Sequence, residues 1–367
     1  MARPQQTKYA SLEDFKKAAF SKIKGSYKGY IFGGCNEMTT MKDNVEAFRR
    51  YRFLPQVLRD VSNIDVRTTV LGQPVACPIG MSPTGFLKMA HEDGEKALAK
   101  ASIPSNIVMI LSIWSTNTIE DIVDVAPNGL YWMQIQLLKD KRITENIVRR
   151  AVAAGFKAIV VTVDQPIPKR KLTTKYDKQG LGIQLESHLR PINLKYIDTA
   201  DIQVIDNQID GTATWKDLRW LKSITSLPIV VKGILTGADA KRAVHNGADA
   251  ILVSNHGGRQ FDYLPATIDV LSEVVAAVEG SGVEVYMDGG VRRGTDVLKA
   301  LARGARAVFI GRPLIWGLAC NGHEGVSQVI DILKDEFSTA MAFMGCSTTK
   351  EIVSPMVVHE RDIGSKL

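Results

Sequence analysis

Four side chains in this 367-residue chain stand where chemistry could be done: Asp164, Lys232, His256 and Arg259. Each lies at the end of a short apolar run. The clearest is Ala250-Ile-Leu-Val253, which breaks into Ser254-Asn-His-Gly-Gly-Arg259, too polar for core and too glycine-rich for helix. An imidazole and a guanidinium three residues apart offer a base that titrates near neutrality and a fork matched to a carboxylate. Lys232 closes Leu227-Pro-Ile-Val-Val-Lys232, and Asp164 follows Val161-Thr-Val163, where it could orient a histidine or cap a turn. Two further loops, Met287-Asp-Gly-Gly-Val-Arg-Arg-Gly-Thr295 and Ile310-Gly-Arg-Pro313, combine glycine with arginine. Main-chain N–H groups, a helix N-terminus and the charges of Arg292 and Arg312 suit a phosphate there, belonging either to a substrate or to a cofactor.

The elements that must position these groups follow a repeated grammar. Around Gly155, Gly247 and Gly304, an amphipathic helix meets a glycine suited to the left-handed position after its last turn, and an apolar strand follows. Strands are expected at 75–81, 106–111, 130–135, 158–163, 229–232, 250–254, 283–288 and 307–310. Eight strands, each followed by a helical stretch, point to an α/β fold of the (β/α)8 TIM-barrel type. A doubly wound sheet is the rival, but no G-x-G-x-x-G follows the first strand. Residues 1–74 read as an N-terminal helical extension packing on the barrel, with helical patches at 12–20 and 44–53. Residues 75–367 then form the barrel, and 165–214, too long for an ordinary βα loop, reads as a lid after strand 4.

Composition narrows the function classes. The net charge of +7 suits an anionic small ligand, whereas the basic residues are interleaved with 39 acids and form no block of the nucleic-acid-binding kind. Cys35, Cys77, Cys320 and Cys346 are too scattered to signal a disulfide framework or a metal site. No apolar run approaches the roughly 20 residues of a membrane span, so a soluble intracellular protein is expected. Ser365-Lys366-Leu367 is the tripeptide read by the peroxisomal import receptor, which makes that receptor a partner and the peroxisomal matrix the expected location.

The segments Ser254-Asn-His-Gly-Gly-Arg-Gln260, Pro265-Ala-Thr-Ile-Asp-Val-Leu271, Asp288-Gly-Gly-Val-Arg-Arg-Gly-Thr-Asp-Val297 and Gly311-Arg-Pro313 resemble the FMN-dependent (S)-2-hydroxy-acid oxidases, the glycolate oxidase family. The likeness runs from about residue 28 to the C-terminus. It implies FMN at the strand tips and a homotetramer or larger assembly. By resemblance, Gly290, Arg292, Gly311 and Arg312 hold the FMN phosphate and Asp288 its ribityl chain. Ser112, Gln134, Thr162, Lys232 and Ser254 contact the ring or ribityl, while Pro83, Thr84 and Gly85 line the flavin face. His256 would take the hydroxyl proton with Asp164 fixing its tautomer, and Arg259 would fork the carboxylate of a small 2-hydroxy acid. Lys232 would stabilise charge on the reduced ring, Tyr30 and Trp114 would stand beside the substrate, and oxygen would take the electrons, giving peroxide.

The departures from the family pattern are specific. Lys28 and Ile31 replace tyrosines flanking Tyr30, and Gln136 stands where a second active-site tyrosine belongs. The Gln136 amide could partly replace that phenol at the substrate. Gly85, where many of the oxidases have alanine, is expected to widen the space beside the flavin, and the lid begins Ile167-Pro-Lys-Arg-Lys171. Two alternatives therefore stand beside the oxidase: an FMN oxidoreductase with a changed substrate or acceptor, and a catalytically silent flavin-binding protein.

Overall fold

A computed structural model describes residues 9–167, 186–194, 197, 199, 204, 205 and 207–363 of the chain. Eight parallel strands close into a barrel in sequence order: β1 (Ile79–Met81), β2 (Met109–Leu111), β3 (Tyr131–Gln136), β4 (Ala158–Thr162), β5 (Ile229–Ile234), β6 (Ala250–Val253), β7 (Glu284–Asp288) and β8 (Ala307–Ile310). All eight fall on the runs singled out in the sequence, and β8 pairs with β1 to complete the ring. Their near-continuous apolar character follows from position, since helices cover one face of each strand and the barrel interior the other. Gly155, Gly247 and Gly304 have φ of +81°, +92° and +101°, the left-handed turn that lets each helix stop and the next strand begin.

Inside the barrel, Trp132, Tyr286 and Phe309 meet with ring centroids 5.6 Å apart in each pairing. Below them a hairpin, Thr68–Val70 with Gln73–Val75, inserts Val70 and Val75 into the same apolar cluster and closes the N-terminal end of the barrel. Gly80 on β1 is obligatory here, because a Cβ at that position would lie 2.4 Å from the Phe309 ring. Four buried cysteines are free. Among the described residues no helix is long and apolar enough to cross a membrane.

Among the described residues, the segment before the barrel carries three α-helices, α1 (Leu12–Lys22), α2 (Gly25–Phe32) and α3 (Thr39–Glu46). The helical patch expected at 12–20 is α1. The one at 44–53 is helical only to Arg50, since Tyr51–Phe53 is a strand paired antiparallel with Val357–His359. Its burial alternates, Tyr51 inside and Arg52 outside, which is the period of a strand. Between 165 and 214 the chain is tied down at several points. Glu186 accepts from Lys24 Nζ at 2.8 Å and Tyr27 Oη at 2.9 Å, Asn193 Oδ1 accepts from Ile119 N at 3.1 Å, and Lys139 N donates to Gln208 O at 2.8 Å. The basic stretch Lys169-Arg-Lys171 and the tripeptide Ser365-Lys-Leu367 lie outside the described residues.

Candidate active site

The inner face of each strand carries one residue in two, so the column that is apolar at mid-barrel continues upward in steps of two. Trp132 leads to Gln134, Val160 to Thr162, Val230 to Lys232, Leu252 to Ser254 and Tyr286 to Asp288. At the C-terminal end the interior therefore turns polar within one layer. Lys232 Nζ donates to Ser254 Oγ at 2.8 Å and lies 3.2 Å from Asp288 Oδ2, which also accepts from Ser82 Oγ at 3.1 Å. Gln134 Nε2 donates to Thr162 Oγ1 at 3.1 Å, and its Oε1 accepts from Ser112 Oγ at 3.2 Å. Lys232 is not the last residue of its strand, as the sequence suggested: β5 runs on to Ile234 through a register break. Gly233 at that break has φ +115°, and a Cβ there would meet Asp164 Cβ at 2.7 Å, so the bulge makes room for Asp164.

Above this layer His256 Nδ1 lies 2.8 Å from Asp164 Oδ1. With Asp164 accepting the Nδ1 proton, Nε2 keeps its lone pair. Burial holds His256 below its ordinary pKa, with the Lys232 and Arg259 charges acting the same way and Asp164 opposing them. Burial would raise the Asp164 carboxyl, but His256 and Lys232 outweigh it and keep it below the usual range. The pair is thus a neutral imidazole on an ionised carboxylate, the resting form of a general base. The αL backbone of His256, φ +57°, is held by its own N–H on Ser254 Oγ at 3.0 Å and by Asn255, whose side chain exchanges two 2.8 Å bonds with Asn44 of α3. Asp262, farther along the same loop, accepts from Thr39 N and Thr40 N at 3.2 and 2.8 Å and so supplies the cap that α3 lacks locally. The helices before the barrel therefore shape the loop that carries the base.

Arg259 lies over the Tyr30 ring at 4.5 Å and bonds to the Tyr30 carbonyl. Tyr30 Oη reaches the Gly85 carbonyl at 3.4 Å, and Phe86 stands edge-on to the phenol. Gly85 does not widen the site as expected. A Cβ there would lie 2.5 Å from Trp114 Cβ, so the space is already filled by the loop after β2. That loop and the one after β1 are joined by Glu95, which accepts from Leu87 N at 3.1 Å, Thr116 N at 3.1 Å and Thr116 Oγ1 at 2.7 Å. Neither this buried carboxyl nor the Asn44–Asn255 pair had been singled out in the sequence, because both act on loops rather than at the end of a strand.

After β7 and β8 stand two half-buried guanidinium groups. Arg312 bonds to Gly257 O at 2.9 Å and Gly33 O at 2.7 Å, and Arg292 to Val291 O at 2.8 Å. Burial drives the Arg312 pKa well down, helped by Arg259 and Arg292 and opposed by Asp288. Arg292 is pushed down to about 10, again by burial, against the pull of Asp296. Carbonyl partners do not neutralise full charges, so both arginines call for an anion. Arg312 Nε and Asp288 Oδ1 are buried without a partner, and beyond Gly311 an added Cβ would meet nothing closer than Ser82 at 3.8 Å. Gly290 has a different reason: a Cβ there would meet the Asn44 carbonyl at 1.9 Å.

Most of these groups border one cavity of about 920 Å³ at the C-terminal mouth of the barrel. Of the nineteen residues named from the sequence, every one lines it except Asp164, behind His256, and Ser254, wholly buried behind Lys232. Gln165, Ile167, Ile205, Asn207 and Gln260 also line it without having been given a role, although Gln165 directly follows Asp164 and Gln260 directly follows Arg259. A closed barrel with an anion nook between its last two strands and a base at its mouth is the arrangement of a cofactor-dependent barrel enzyme.

The chain belongs to the FMN-dependent dehydrogenase family, whose model matches residues 19–359. It is 46% identical to mouse 2-hydroxyacid oxidase 1, covering 94% of this chain and 95% of that protein. It is also 46% identical to a peroxisomal (S)-2-hydroxyacid oxidase of Arabidopsis thaliana, over 96% and 97%. Among solved structures, a soluble mutant of the membrane-associated (S)-mandelate dehydrogenase from Pseudomonas putida superposes with a TM-score of 0.88 at 31% identity, covering 96% of this chain and all of that one (100%). A mandelate oxidase variant with (S)-mandelic acid gives 0.84 at 36%, over 95% and 98%. The protein is an FMN-dependent oxidoreductase, and the fit to FMN is physical. The half-buried arginine pair and open Gly311 suit its phosphate, the orphaned Asp288 oxygen a ribityl hydroxyl, and the polar layer around Lys232 and Gln134 the edge of its ring.

Proposed function

We propose that the protein oxidises small (S)-2-hydroxy acids to 2-oxo acids and hands the electrons to oxygen, giving hydrogen peroxide. The observation that carries this reading is His256, held by Asp164 at 2.8 Å and lining a single cavity together with Arg259, Arg292 and Arg312. Arg259, with Tyr30 beneath its guanidinium, holds the substrate carboxylate. His256 Nε2 takes the hydroxyl proton, and Asp164 steadies the imidazolium that results. Bound FMN would supply the two-electron acceptor for the C2 hydrogen and its bonding pair. Lys232, fixed by Ser254 and Asp288, offsets negative charge beside it. The retained base and carboxylate fork argue against a silent flavin-binding protein.

An anaerobic screen tests the reading: glycolate, lactate or a longer (S)-2-hydroxy acid should bleach the flavin, and peroxide should form on admitting air. Failure of a broad panel to bleach it would refute the substrate class. A peroxisomal location is supported by the Arabidopsis relative and by Ser365-Lys-Leu367, and deleting that tripeptide should abolish import. A homotetramer or larger assembly follows from the family resemblance, and sedimentation of the holoenzyme checks it.

A further inference from the structure

Three glutamines meet at the cavity mouth. Gln136 Nε2 donates to Gln165 Oε1 at 2.8 Å, and Gln260 Nε2 donates to the same oxygen at 2.7 Å. They come from three strand ends: Gln136 closes β3, Gln165 follows Asp164 beyond β4, and Gln260 follows Arg259 beyond β6. All three line the cavity. Gln136 is only 2% exposed, and its Oε1 is buried with no partner. A buried amide oxygen left unmet weakens a fold, so its retention at a binding cavity implies a partner that arrives with the ligand.

The height of the trio says which part of the ligand that is. Gln136 lies two residues beyond Gln134, about 6.6 Å further up the strand, one layer above Gln134, Thr162, Lys232 and Asp288. With the cofactor ring resting on that lower layer, a 2-hydroxy acid with its hydroxyl at His256 and its carboxylate at Arg259 would turn its C2–H down toward it. The fourth substituent on the tetrahedral carbon, the side chain, then points up to the layer of the glutamines.

The three amides are uncharged, so a second carboxylate would be desolvated against them without a counter-charge. A hydrocarbon would cover Gln136 Oε1 and leave it unmet. Inverting all three amides keeps both bonds, with Gln165 donating instead of accepting, so the trio can offer its ligand an acceptor or a donor. A hydroxyl, which both donates and accepts, meets either form.

We propose that Gln136, Gln165 and Gln260 form a subsite for a hydroxylated substrate side chain. The enzyme then selects (S)-2-hydroxy acids bearing a second neutral hydroxyl on C3 or C4 over their aliphatic isosteres. The inference rests on the oxidase reading above.

Two matched pairs test it on the holoenzyme: (S)-2,3-dihydroxypropanoate against (S)-2-hydroxybutanoate, and (S)-2,4-dihydroxybutanoate against (S)-2-hydroxypentanoate. Within each pair a hydroxyl replaces a methyl. In at least one pair, kcat/KM should favour the hydroxylated acid by about 10- to 100-fold. The matched 2-oxo acids, titrated by flavin absorbance into the oxidised holoenzyme, should show the same order of Kd. In Gln165→Leu and Gln136→Leu the ratio within the pair should collapse toward one, mainly through KM of the hydroxylated member. A wild-type ratio of one or less in both pairs overturns the subsite, as does a ratio unchanged in both variants. If glycolate bleaches the flavin and the ratio is one, only the subsite fails; if no acid bleaches it, the oxidase reading fails as well.

Discussion

The two ends of the barrel interior are built from the same columns of residues and do opposite work. At the lower end Trp132, Val160, Val230, Leu252 and Tyr286 join Val70 and Val75 in a dry apolar cluster. Two residues further along each strand stand Gln134 and Thr162, bonded to each other, and Lys232, bonded to Ser254 and paired with Asp288, beside a cavity. One pleat repeat thus separates what holds the fold from what serves the chemistry. The lower end fixes strand spacing by packing, and that spacing sets the distances between polar groups above it. Substitutions at the two ends should therefore separate stability from activity.

The largest separation is expected at the upper end. His256→Ala should lower kcat by on the order of 10²–10⁴ while FMN content and Tm stay near the wild-type values. The pH profile sharpens this. His256 must be neutral to accept a proton, and its pKa is held below the ordinary 6.5. The acid limb of kcat/KM should therefore fall below pH 6.5. Asp164 raises the His256 pKa, so Asp164→Asn should shift that limb to still lower pH while depressing the plateau, because the imidazolium loses its partner. A limb at or above pH 6.5 would show that the imidazole is not shielded as described.

The lower end gives the mirror image. Trp132→Ala empties the centre of the aromatic trio and should destabilise the protein by about 3–5 kcal/mol, read by denaturant unfolding of the holoenzyme. The kcat of the fraction that stays folded should change only a few-fold. A loss on the His256→Ala scale would mean that the two layers are not separable.

Arg312 lies between these extremes, since its cost depends on what is bound. Arg312→Gln should weaken FMN binding by about 2–5 kcal/mol, measured by titrating the apoprotein. Without FMN the same change removes a half-buried charge that, among the described residues, carbonyls and Asp288 offset, so the apoprotein should be as stable as the wild type or more so. Equal losses with and without FMN would place the guanidinium in the scaffold instead of the anion site.

Legibility in the sequence divides along the same line. The strands were readable because each is a local apolar run bounded by glycine or polar residues, and Gly155, Gly247 and Gly304 announce the turns by the φ they need. Lys232 and His256 were readable because a polar residue closing such a run has few places to go, whereas Asp288 was given a role only by the family resemblance. What escaped was non-local. The pairing of Asn44 with Asn255 spans 211 residues, and the capping of α3 by Asp262 spans more than 220. The strand Tyr51–Phe53 exists only because Val357–His359, at the other end of the chain, pairs with it. Gln165 was missed for another reason: its role depends on Gln136 and Gln260, and neither spacing nor residue type shows that three amides meet.

Gly85 is where the reading of residue type failed outright, and it yields the smallest of the expected effects. Absence of a side chain suggested extra room, but the loop after β2 occupies it, with Trp114 Cβ 2.5 Å from where a Gly85 Cβ would stand. The contact is with the root of the indole side chain and, at 3.1 Å, with the Trp114 carbonyl, which also accepts from Phe86 N. Neither can swing away as the tip of a flexible side chain could. Gly85→Ala should therefore cost about 1–3 kcal/mol of stability and raise KM more than it lowers kcat, because the displaced loop carries the indole on the substrate side. Truncating the indole by Trp114→Ala keeps the offending Cβ and should not restore stability to Gly85→Ala, whereas Trp114→Gly should couple favourably with it. If the alanine variant is as stable as the wild type, the two loops are looser than their bonds through Glu95 imply, and the cavity wall between Tyr30 and Trp114 adapts where the barrel beneath it cannot.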